Sequence, residues 1–486
     1  TKRHPAVVRH RTGVKGDGTI TAMEIDIEMD AGAYVTLTPV VLSRGILHSA
    51  GVYRCANVSA RAVAYATNTV PNGAFRGFGA PQTIFPVEAH MERVAAELGM
   101  SPLEFRRKNC LRKGDETATG QVLRESVGGP ACLEEAARRS GFEEKRAEFA
   151  NMNEGARFRR GIGLSLFMHG AGFTGSGEAR LKGEAGLRLD GDGRITILTA
   201  CTDMGQGAHT VLPQIAADHL GLELSCVNIE TPDTSIVPDS GPTVASRTTM
   251  IMGVVLEKCA KSLKGKLFDF ASKKFGAPAS SFLFEGDSIL SKERRLMSVS
   301  ELVRLYLKEE GPFTVIEHYE LPPGVKWDEE NYRGDAYPTF AWGCDVAEVE
   351  IDMETFEIRV VKMWLAQDIG RAINPKMAAG QIEGGTLQAL GYALMERHAV
   401  SRGRLATNRL QNYIIPTTLD APEMETIIVE EPFSFGPMGA KGVGELPMDG
   451  GAPAVANAVA NATGLSVCDL PITPERLYEA WRKKGG

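Results

Sequence analysis

The chain has 486 residues, of which 43% are hydrophobic and 24% are charged, and its formal net charge at pH 7 is −7. This length predicts at least two lobes, because a single hydrophobic core stops growing at ~250–300 residues. No stretch approaches the ~20 apolar residues of a membrane span, and the basic residues are scattered along the chain. A membrane span and nucleic-acid binding are therefore not expected.

The eight cysteines lie far apart without a CxxC pair, so no cysteine-based zinc or iron–sulfur site is predicted. Reduced thiols and the lack of a signal peptide predict a cytoplasmic protein. The chain starts at Thr1 without a methionine, close to a predicted strand, and we expect it to be one piece of a larger protein. Glycine is abundant, at 53 residues, and its clusters predict loops where the backbone approaches another group closely.

Three segments share one pattern, in which two strands flank a turn and the second strand ends in Asp-x-Gly. In chain order the segments are 11–34, 185–207 and 347–370, and their ends are Asp30-Ala31-Gly32, Asp203-Met204-Gly205 and Asp368-Ile369-Gly370. Two interpretations stay open, a chance likeness among glycine-rich hairpins and a recurrent unit that supplies loops to one centre.

Helical patterns lie between these hairpins. Segment 81–100 has apolar residues at helical spacing, and Ser101, Pro102 and Glu104 form an N-terminal helix signature. Further helices are predicted in segments 208–222, 247–275, 376–398 and 451–464. Strands and helices do not alternate as βαβ units, so the pattern predicts an α+β fold with mixed sheets. A domain boundary is predicted in the polar stretch 112–130, dividing residues 1–120 from residues 121–486.

Two glycine- or hydroxyl-rich segments could bind an anion. Residues 204–207, "MGQG", join a strand directly to a helix, where free amides and the side chain of Gln206 would favour a negative group. An ordinary strand-to-helix turn is the competing interpretation. Segment 243–249 brings four hydroxyl side chains to the start of a long helix, although capping needs only one. It predicts either an oxygen-rich ligand or a loop that satisfies its own hydrogen bonds.

Aromatic and polar side chains occur in three further glycine-bounded segments. Phe75 and Phe78 flank Arg76, a combination that suits either a flat oxygenated ligand or a structural arginine. Phe173 offers another ring, and the nearby His169 is expected to be structural. Gln381 lies at the start of a glycine-rich helix that is expected to pack very closely against a neighbour.

Segment 439–451, "GAKGVGELPMDGG", places Glu445 among glycines, small residues and a proline. Such neighbours give a carboxylate little solvation, so enclosure of the loop should raise the pKa of Glu445 toward the working pH. An exposed loop acid without a role is the alternative for this segment taken alone.

Taken in order, these segments resemble the signature series of the molybdenum hydroxylases, the xanthine dehydrogenase and aldehyde oxidase family. The matching segments are "AFRGFGAPQ", "MGQG", "PTVASRTT", "GQIEGG" and "KGVGE", and the resemblance covers essentially the whole chain. It implies α+β molybdenum cofactor-binding domains, with the C-terminal part of the first in residues 1–120 and the second in residues 121–486. It also implies a molybdopterin cofactor, in its plain or cytosine dinucleotide form, whose molybdenum is held through the pterin dithiolene and not by protein side chains.

The resemblance further implies a role for individual residues. Glu445 would be the general base in the hydroxylation of an electron-poor carbon, with water as the source of oxygen. Phe78 and Phe173 would sandwich a planar substrate and Arg44 would bind its oxygen, which favours a purine such as xanthine over an aldehyde or a nicotinate-type ring. Carbon monoxide oxidation is less well matched by the sequence of the "AFRGFGAPQ" loop. The cofactor contacts would be Phe75, Arg76, Met204, Gly205, Gln206, Ala245, Ser246, Thr248, Gln381 and Lys441.

The chain also departs from the family pattern. The family's earlier Gly-Gly-x-Phe-Gly segment, which supplies part of the pocket, has no counterpart among these residues. The resemblance therefore implies that this N-terminal segment, the iron–sulfur clusters and FAD belong to partner subunits or to domains outside this chain, in a dimer of heteromers. A cofactor-free structural or assembly subunit with the same fold is the alternative from outside the enzymes.

Overall fold

A computed structural model describes residues 2–181 and 183–485 of the chain. Within these residues the α-helices are α1 (Thr38–His48), α2 (Ala80–Glu97), α3 (Pro102–Asn109), α4 (Gly129–Ser140), α5 (Phe142–Met152), α6 (Gly177–Leu181), α7 (Ala208–Leu220), α8 (Gly253–Phe275), α9 (Val299–Glu309), α10 (Pro375–Leu394), α11 (Pro447–Thr463) and α12 (Pro474–Lys483). A π-helical turn, Thr248–Met252, precedes α8. None of these helices is long and apolar enough to cross a membrane.

Strands of the described residues form mixed and antiparallel sheets. They are β1 (Ala6–Val14), β2 (Ile20–Gly32), β3 (Val58–Ala66), β4 (Phe158–Ala171), β5 (Glu184–Leu189), β6 (Ile195–Leu198), β7 (Val227–Ile229), β8 (Phe282–Glu285), β9 (Ser288–Ser291), β10 (Arg294–Ser298), β11 (Thr314–His318), β12 (Trp327–Asp328), β13 (Arg333–Gly334), β14 (Thr339–Asp352), β15 (Ile358–Asp368), β16 (Val400–Ser401), β17 (Arg404–Leu405) and β18 (Glu423–Val429). The predicted α+β class with mixed sheets is confirmed. The expectation that βαβ units are absent is wrong, because each hairpin leads through a helix to a parallel strand, in β2–α1–β3, β6–α7–β7 and β15–α10–β18.

All three predicted hairpins are present, as the antiparallel pairs β1–β2, β5–β6 and β14–β15. Each Asp-x-Gly end forms the same turn, in which the aspartate Oδ1 accepts a hydrogen bond from the glycine amide at 2.9 Å. This side-chain-to-backbone bond satisfies the glycine amide, and all three glycines adopt a positive φ. The repeat is therefore a real structural unit.

The central sheet has the strand order β18-β15-β14-β4. Its strand β14 is buried along almost its whole length, because α11 covers one face of the sheet and α4 packs against the other. Helix α11 lies unusually close to β4. A Cβ added to Gly161 or Gly163 would overlap backbone atoms of Ala458. This close packing fixes the start of α11, and the loop before it, against the sheet.

Three large clusters of buried apolar side chains form the hydrophobic core of the described residues. One lies under β1–β3, α2, α3 and α4 and continues into the central sheet, so the side chains of residues before and after position 120 pack in one core. A second fills the lobe of β5–β7, α7, α8 and α9. A third lies between α10, α11, α12 and the central sheet. The domain boundary near residue 120 stays a prediction.

A buried ion pair links the third hairpin to the loop that carries Glu445. The Lys441 Nζ atom donates to Asp368 Oδ2 at 2.5 Å and to the carbonyls of Phe340 and Ser126 at 3.0 and 3.2 Å. Both side chains are fully buried. Burial lowers the pKa of Lys441 and raises that of Asp368, although their mutual attraction opposes both shifts. Removal of one partner would leave an uncompensated charge in the interior.

We predict that Gly163→Ala lowers the free energy of unfolding by about 1–3 kcal/mol or more, because the new methyl group would overlap the α11 backbone. Chemical denaturation measures this loss. Gly265→Ala is the matched control in the exposed part of α8, where no described atom beyond the helix's own backbone lies within 4 Å of the added atom. It should raise stability by ~0.5–1 kcal/mol. An unchanged denaturation midpoint for Gly163→Ala would contradict the close packing of α11.

We predict that Lys441→Met costs about 3–5 kcal/mol of folding free energy, because it leaves the Asp368 carboxylate buried and unpaired. The control is Lys376→Met at the exposed start of α10, which should change stability by less than ~0.5 kcal/mol. Denaturation of both variants beside the parent protein measures the difference. Equal stabilities for the two variants would show that the ion pair is not structural.

Candidate active site

Glu445 is buried at the point where the loop of residues 439–446 runs into α11, with only 7% of the residue exposed. Its backbone amide donates to the Ser246 hydroxyl at 2.9 Å, which ties the loop to segment 243–249. Gly442 packs on the same residue so closely that a Cβ there would overlap the Ser246 carbonyl oxygen. The small residues around Glu445 therefore allow two loops to touch through their backbones.

Two basic side chains face the Glu445 carboxylate. The Oε2 atom lies 3.3 Å from His169 Nε2 on β4 and 3.7 Å from Arg44 Nη1 on α1. Arg44 Nη1 also lies 2.7 Å from His169 Nε2 and donates to the Gly170 carbonyl at 2.9 Å, and Nη2 donates to the Gly172 carbonyl at 2.6 Å. The carboxylate thus lies in a buried positive environment.

The expected rise in the pKa of Glu445 is wrong. Burial does favour the protonated acid, but the nearby Arg44 guanidinium and the hydrogen bond from His169 outweigh it and lower the pKa of Glu445 to about 2. The sequence showed the small neighbours of Glu445 but not the charges that the fold brings from β4 and α1. Glu445 is therefore an ionised, buried carboxylate at neutral pH.

Behind His169 lies a second carboxylate, Asp449, whose Oδ2 is 2.6 Å from His169 Nδ1. Burial raises the pKa of Asp449, and the charge of His169 partly opposes this rise. Burial also disfavours the charged form of His169, but Asp449 and Glu445 outweigh it, so the pKa of His169 is raised. Neither residue in this pair is predicted as a site residue from the sequence. Asp449 lies in the first turn of α11, which begins at Pro447 and not at the predicted position 451.

A second histidine, His48, packs beside His169 with ring centroids 5.3 Å apart. Its Nδ1 donates to the Arg44 carbonyl at 2.7 Å, and its Nε2 accepts from the Gly170 amide at 3.1 Å. Burial, with the charges of His169 and Arg44, holds the pKa of His48 well below its ordinary value. His48 is therefore neutral, and its hydrogen bond to the Arg44 carbonyl helps to fix the position of Arg44.

Arg76 joins the Glu445 loop to α10. Its Nε donates to the Gly444 carbonyl at 2.5 Å, and its Nη2 lies 3.3 Å from Gln381 Oε1 and 3.2 Å from the Gln381 carbonyl. A Cβ at Gly385 would lie 3.1 Å from the guanidinium carbon, so the glycine makes room for this arginine. The structure brings Arg76, Gln381 and Glu445 into one region.

Loops on either side of Glu445 hold strained backbone conformations. Gly77, Phe78 and Gly79 all have positive φ, and so do the consecutive residues Ala245 and Ser246. Non-glycine residues adopt this region at a cost of order 1–3 kcal/mol each, and such residues cluster at functional sites. Thr248 begins the π-helical turn that follows, another feature often found at functional sites.

The interpretation of "MGQG" as a set of free amides is wrong. Asp203 accepts hydrogen bonds from the amides of Gly205, Gly207 and His209 at 2.9–3.3 Å, so its carboxylate already occupies the start of α7. Gln206 also bonds within its own loop, because Oε1 accepts from the Met204 amide and Nε2 donates to the Thr202 carbonyl, both at 2.7 Å. The competing interpretation as a strand-to-helix turn describes these contacts.

The loop of residues 204–207 nevertheless packs against the start of α10. A Cβ at Gly207 would overlap Met377 near the start of α10, the helix that carries Gln381. Met204 is 69% exposed, and no described atom lies within 4 Å of the position that a Cβ at Gly205 would take. The tip of the loop is therefore open to a ligand through exposed surface and not through a ring of amides.

The predicted aromatic residues have different surroundings. Arg3 lies over the Phe75 ring at 4.7 Å from its centroid. Phe78 is half-buried with φ at +50°, and its loop packs on α1, where a Cβ at Gly79 would overlap the Val41 carbonyl. Phe173 is half-buried as well, and its amide donates to Glu178 at 3.0 Å. Phe78 and Phe173 thus belong to the loops that flank Arg44.

The Lys441 side chain does not face this region. All three protons of its ammonium group are used in the interior, by Asp368 and two carbonyls. The ammonium group of Lys441 is therefore engaged in the interior, and the cofactor contact of Lys441 stays a prediction. Among the described residues, no group of three or more histidine, cysteine, aspartate or glutamate side chains could hold a metal ion.

Comparisons with known proteins agree with the segment order. A family described as molybdopterin cofactor-binding domain matches residues 135–422, and a second family with the same description matches residues 1–110. A xanthine dehydrogenase molybdenum-binding subunit from Escherichia coli O157:H7 is 32% identical over 493 aligned positions, which cover 99% of this chain and 63% of that protein.

Solved structures give the same result for the fold. Quinoline 2-oxidoreductase from Pseudomonas putida 86 has a TM-score of 0.87 and 29% identity, covering 98% of this chain and 62% of that one. Aldehyde oxidoreductase from Desulfovibrio gigas has a TM-score of 0.84 and 29% identity, covering 99% of this chain and 49% of that one. The chain thus spans between about half and three fifths of the length of these relatives. It belongs to the molybdopterin cofactor-binding domain family of the molybdenum hydroxylases.

Proposed function

We propose that the chain is the molybdopterin-binding catalytic part of a molybdenum hydroxylase and that Glu445 is its general base. The observation that carries this proposal is a buried carboxylate, held ionised beside Arg44 and His169, at the meeting point of the loops that match the family series. A carboxylate costs much free energy to bury, and such groups persist mainly where they have partners or a function.

The side chains present fit a large cofactor with polar groups. The Arg44 Nε atom is buried beside Glu445 and has no hydrogen-bond partner among the described residues, so a bound molecule could satisfy it. Met204 and Gly205 are exposed, and Arg76 and Gln381 lie in contact with each other beside the Glu445 loop. The residues that would hold the cofactor are Phe75, Arg76, Met204, Gly205, Gln206, Ala245, Ser246, Thr248 and Gln381. When bound, the molybdenum cofactor supplies the oxygen transfer and accepts two electrons.

Glu445 would remove a proton from the attacking oxygen in this reaction, and the other residues position it. Arg44 and His169 keep the carboxylate ionised and oriented, so it is ready to accept a proton at neutral pH. The packed loops keep bulk water away from the carboxylate, which strengthens these electrostatic contacts. Ser246 fixes the backbone of Glu445 through its amide.

We further propose a planar N-heterocycle such as a purine as the substrate, with Phe78 and Phe173 flanking the ring and Arg44 facing its oxygen. Two of the three relatives named above support this class, because their names refer to xanthine and quinoline, which are both planar heterocycles. The third is an aldehyde oxidoreductase and supports the alternative. An aldehyde or a nicotinate-type ring is the alternative within the family. Three of the five Arg44 N–H groups face His169, Gly170 and Gly172, which leaves one Nη2–H and the Nε–H. The Nε atom has no partner among the described residues, so its N–H is the group proposed for a substrate oxygen.

The same proposal includes the remaining parts of the enzyme. The chain covers only part of each relative's length. We therefore propose that the first segment of the pocket, the iron–sulfur clusters and FAD belong to other parts of a cytoplasmic multi-subunit assembly. The pterin is either the plain or the cytosine dinucleotide form.

We predict that Glu445→Gln in the complete assembly lowers turnover by ~10²–10⁴-fold or more, because the amide cannot accept the proton. Molybdenum and acid-released pterin, measured on the same samples, should stay at the parent level. The control is Glu354→Gln in the exposed β14–β15 turn, which should leave turnover unchanged. Parent-level turnover in Glu445→Gln would remove Glu445 from the mechanism. Absence of both molybdenum and pterin from the parent assembly would favour the cofactor-free alternative.

A further inference from the structure

His169 is a titratable group in contact with Glu445, and the proposed function gives it only an electrostatic role. It lies on β4, fully buried, between two carboxylates. Asp449 Oδ2 is 2.6 Å from Nδ1, while both Arg44 Nη1, at 2.7 Å, and Glu445 Oε2, at 3.3 Å, are close to Nε2. The two ring nitrogens therefore have very different surroundings.

We assign a proton to Nδ1, because the Asp449 carboxylate oxygen lies 2.6 Å from it and accepts hydrogen bonds when ionised. The Nε2 atom has two exclusive arrangements. As a neutral ring, His169 accepts the Arg44 N–H at Nε2. As an imidazolium, it donates from Nε2 to Glu445 Oε2, and the Arg44 bond at 2.7 Å must open, since two donors would then face each other. The geometry thus couples the proton on Nε2 to the state of Glu445.

We propose that His169 accepts the proton that Glu445 has removed and that Asp449 positions His169 for this transfer. The inference rests on the proposed role of Glu445 as the base. The O–H bond of protonated Glu445 breaks, an N–H bond forms at His169 Nε2, and the Arg44-to-Nε2 hydrogen bond is lost. No electrons are exchanged. Glu445 returns to its carboxylate form, and the positive charge lies on an imidazolium between Glu445 and Asp449.

The relative basicity of the two groups supports this direction. A carboxylate with a pKa of about 2 holds a proton poorly, whereas the pKa of His169 is raised above its ordinary value of 6.5. The proton on Glu445 therefore passes toward the more basic neighbour, His169. Neighbouring groups with opposite pKa shifts are the arrangement that active sites use to divide acid and base roles.

The other charged and titratable groups around this pair are consistent with that assignment. From α1, Arg44 opposes a charge on His169 and His48 stays neutral. Tyr337 lies 5.1 Å from the Arg44 guanidinium through its ring centroid, and burial raises its pKa, so it stays protonated. Asp345, next to the start of α11, is fully buried and its pKa is raised to about 8. The charge of Arg3 favours the ionised form of Asp449 and so opposes the rise in its pKa.

The test uses three variants of the complete assembly, which are His169→Gln, Asp449→Asn and the control His48→Gln. His48 is a buried histidine whose hydrogen bonds go to the backbone of Arg44 and Gly170. The pH profile of kcat/KM should fall at its acidic side as His169 becomes protonated, above pH 6.5. We expect His169→Gln to lower turnover by about 10²-fold and to remove this acidic fall, and Asp449→Asn to move it to lower pH. His48→Gln should leave the position of the fall unchanged.

Thermal unfolding as a function of pH gives a second readout that needs no turnover. A group whose pKa is raised by folding stabilises the folded state below its unfolded pKa, and this stabilisation is lost as pH rises through the folded pKa. The difference in midpoint between the parent and His169→Gln should therefore widen on acidification through the region above pH 6.5. His48 has a lowered pKa, so the difference between the parent and His48→Gln should instead shrink as pH falls below 6.5.

The outcomes separate the two proposals. Loss of turnover in His169→Gln with an unmoved acidic fall would reduce His169 to a structural residue and overturn the inference, even if Glu445→Gln is inactive. A stability difference that narrows on acidification for His169→Gln would also overturn it. If Glu445→Gln keeps parent turnover, the proposed function itself fails first. Should His169→Gln not fold, Asp449→Asn still decides through the shift of the acidic fall.

Discussion

The buried charge of Glu445 is the constraint on which the site depends. An isolated carboxylate in a protein interior would take up a proton, yet the pKa of Glu445 is lowered to about 2. Arg44 and His169, which come from α1 and β4, provide the compensation. The three groups belong to distant parts of the sequence, so the ionised base exists only when these parts of the chain are folded together.

Small residues make this convergence possible. Gly161 and Gly163 let α11 lie directly on β4, which brings Asp449 against His169. Gly442 lets the Glu445 loop touch Ser246, and Gly385 makes room for Arg76. Overpacking at such contacts typically costs ~1–3 kcal/mol, so the glycines are fixed by packing as much as by any ligand. The abundance of glycine therefore reflects close contacts between backbones throughout the site.

Local sequence patterns predicted much of the fold. The three hairpins, the helix after Ser101 and the α+β class follow from strand periodicity, turn residues and capping, which act over a few residues. The start of α11 differs, because Pro447 opens a helix in a segment where the glycines predicted a loop. This error hides Asp449, which lies on the first turn of that helix and not in a flexible loop.

The site was less predictable, because its properties come from contacts across the fold. The resemblance identified Glu445 and Arg76, and the structure places them in one region. It could not reveal that His169 and Asp449, 280 positions apart in the chain, form a hydrogen-bonded pair. Nor could it reveal that the Asp203 carboxylate accepts the hydrogen bonds of the backbone amides in the "MGQG" turn. The one local signal for the latter was the Asp-x-Gly pattern itself, which the other two hairpins share.

Anomalous X-ray scattering at the molybdenum absorption edge, on crystals of the complete assembly, tests the central claim most directly. The account predicts a single molybdenum peak facing the Glu445 carboxylate, between the loops of Arg76 and Ser246, with no protein side chain bonded to the metal. A peak elsewhere in the chain, or a direct bond from Glu445 to the metal, would contradict the assignment of Glu445 as the general base.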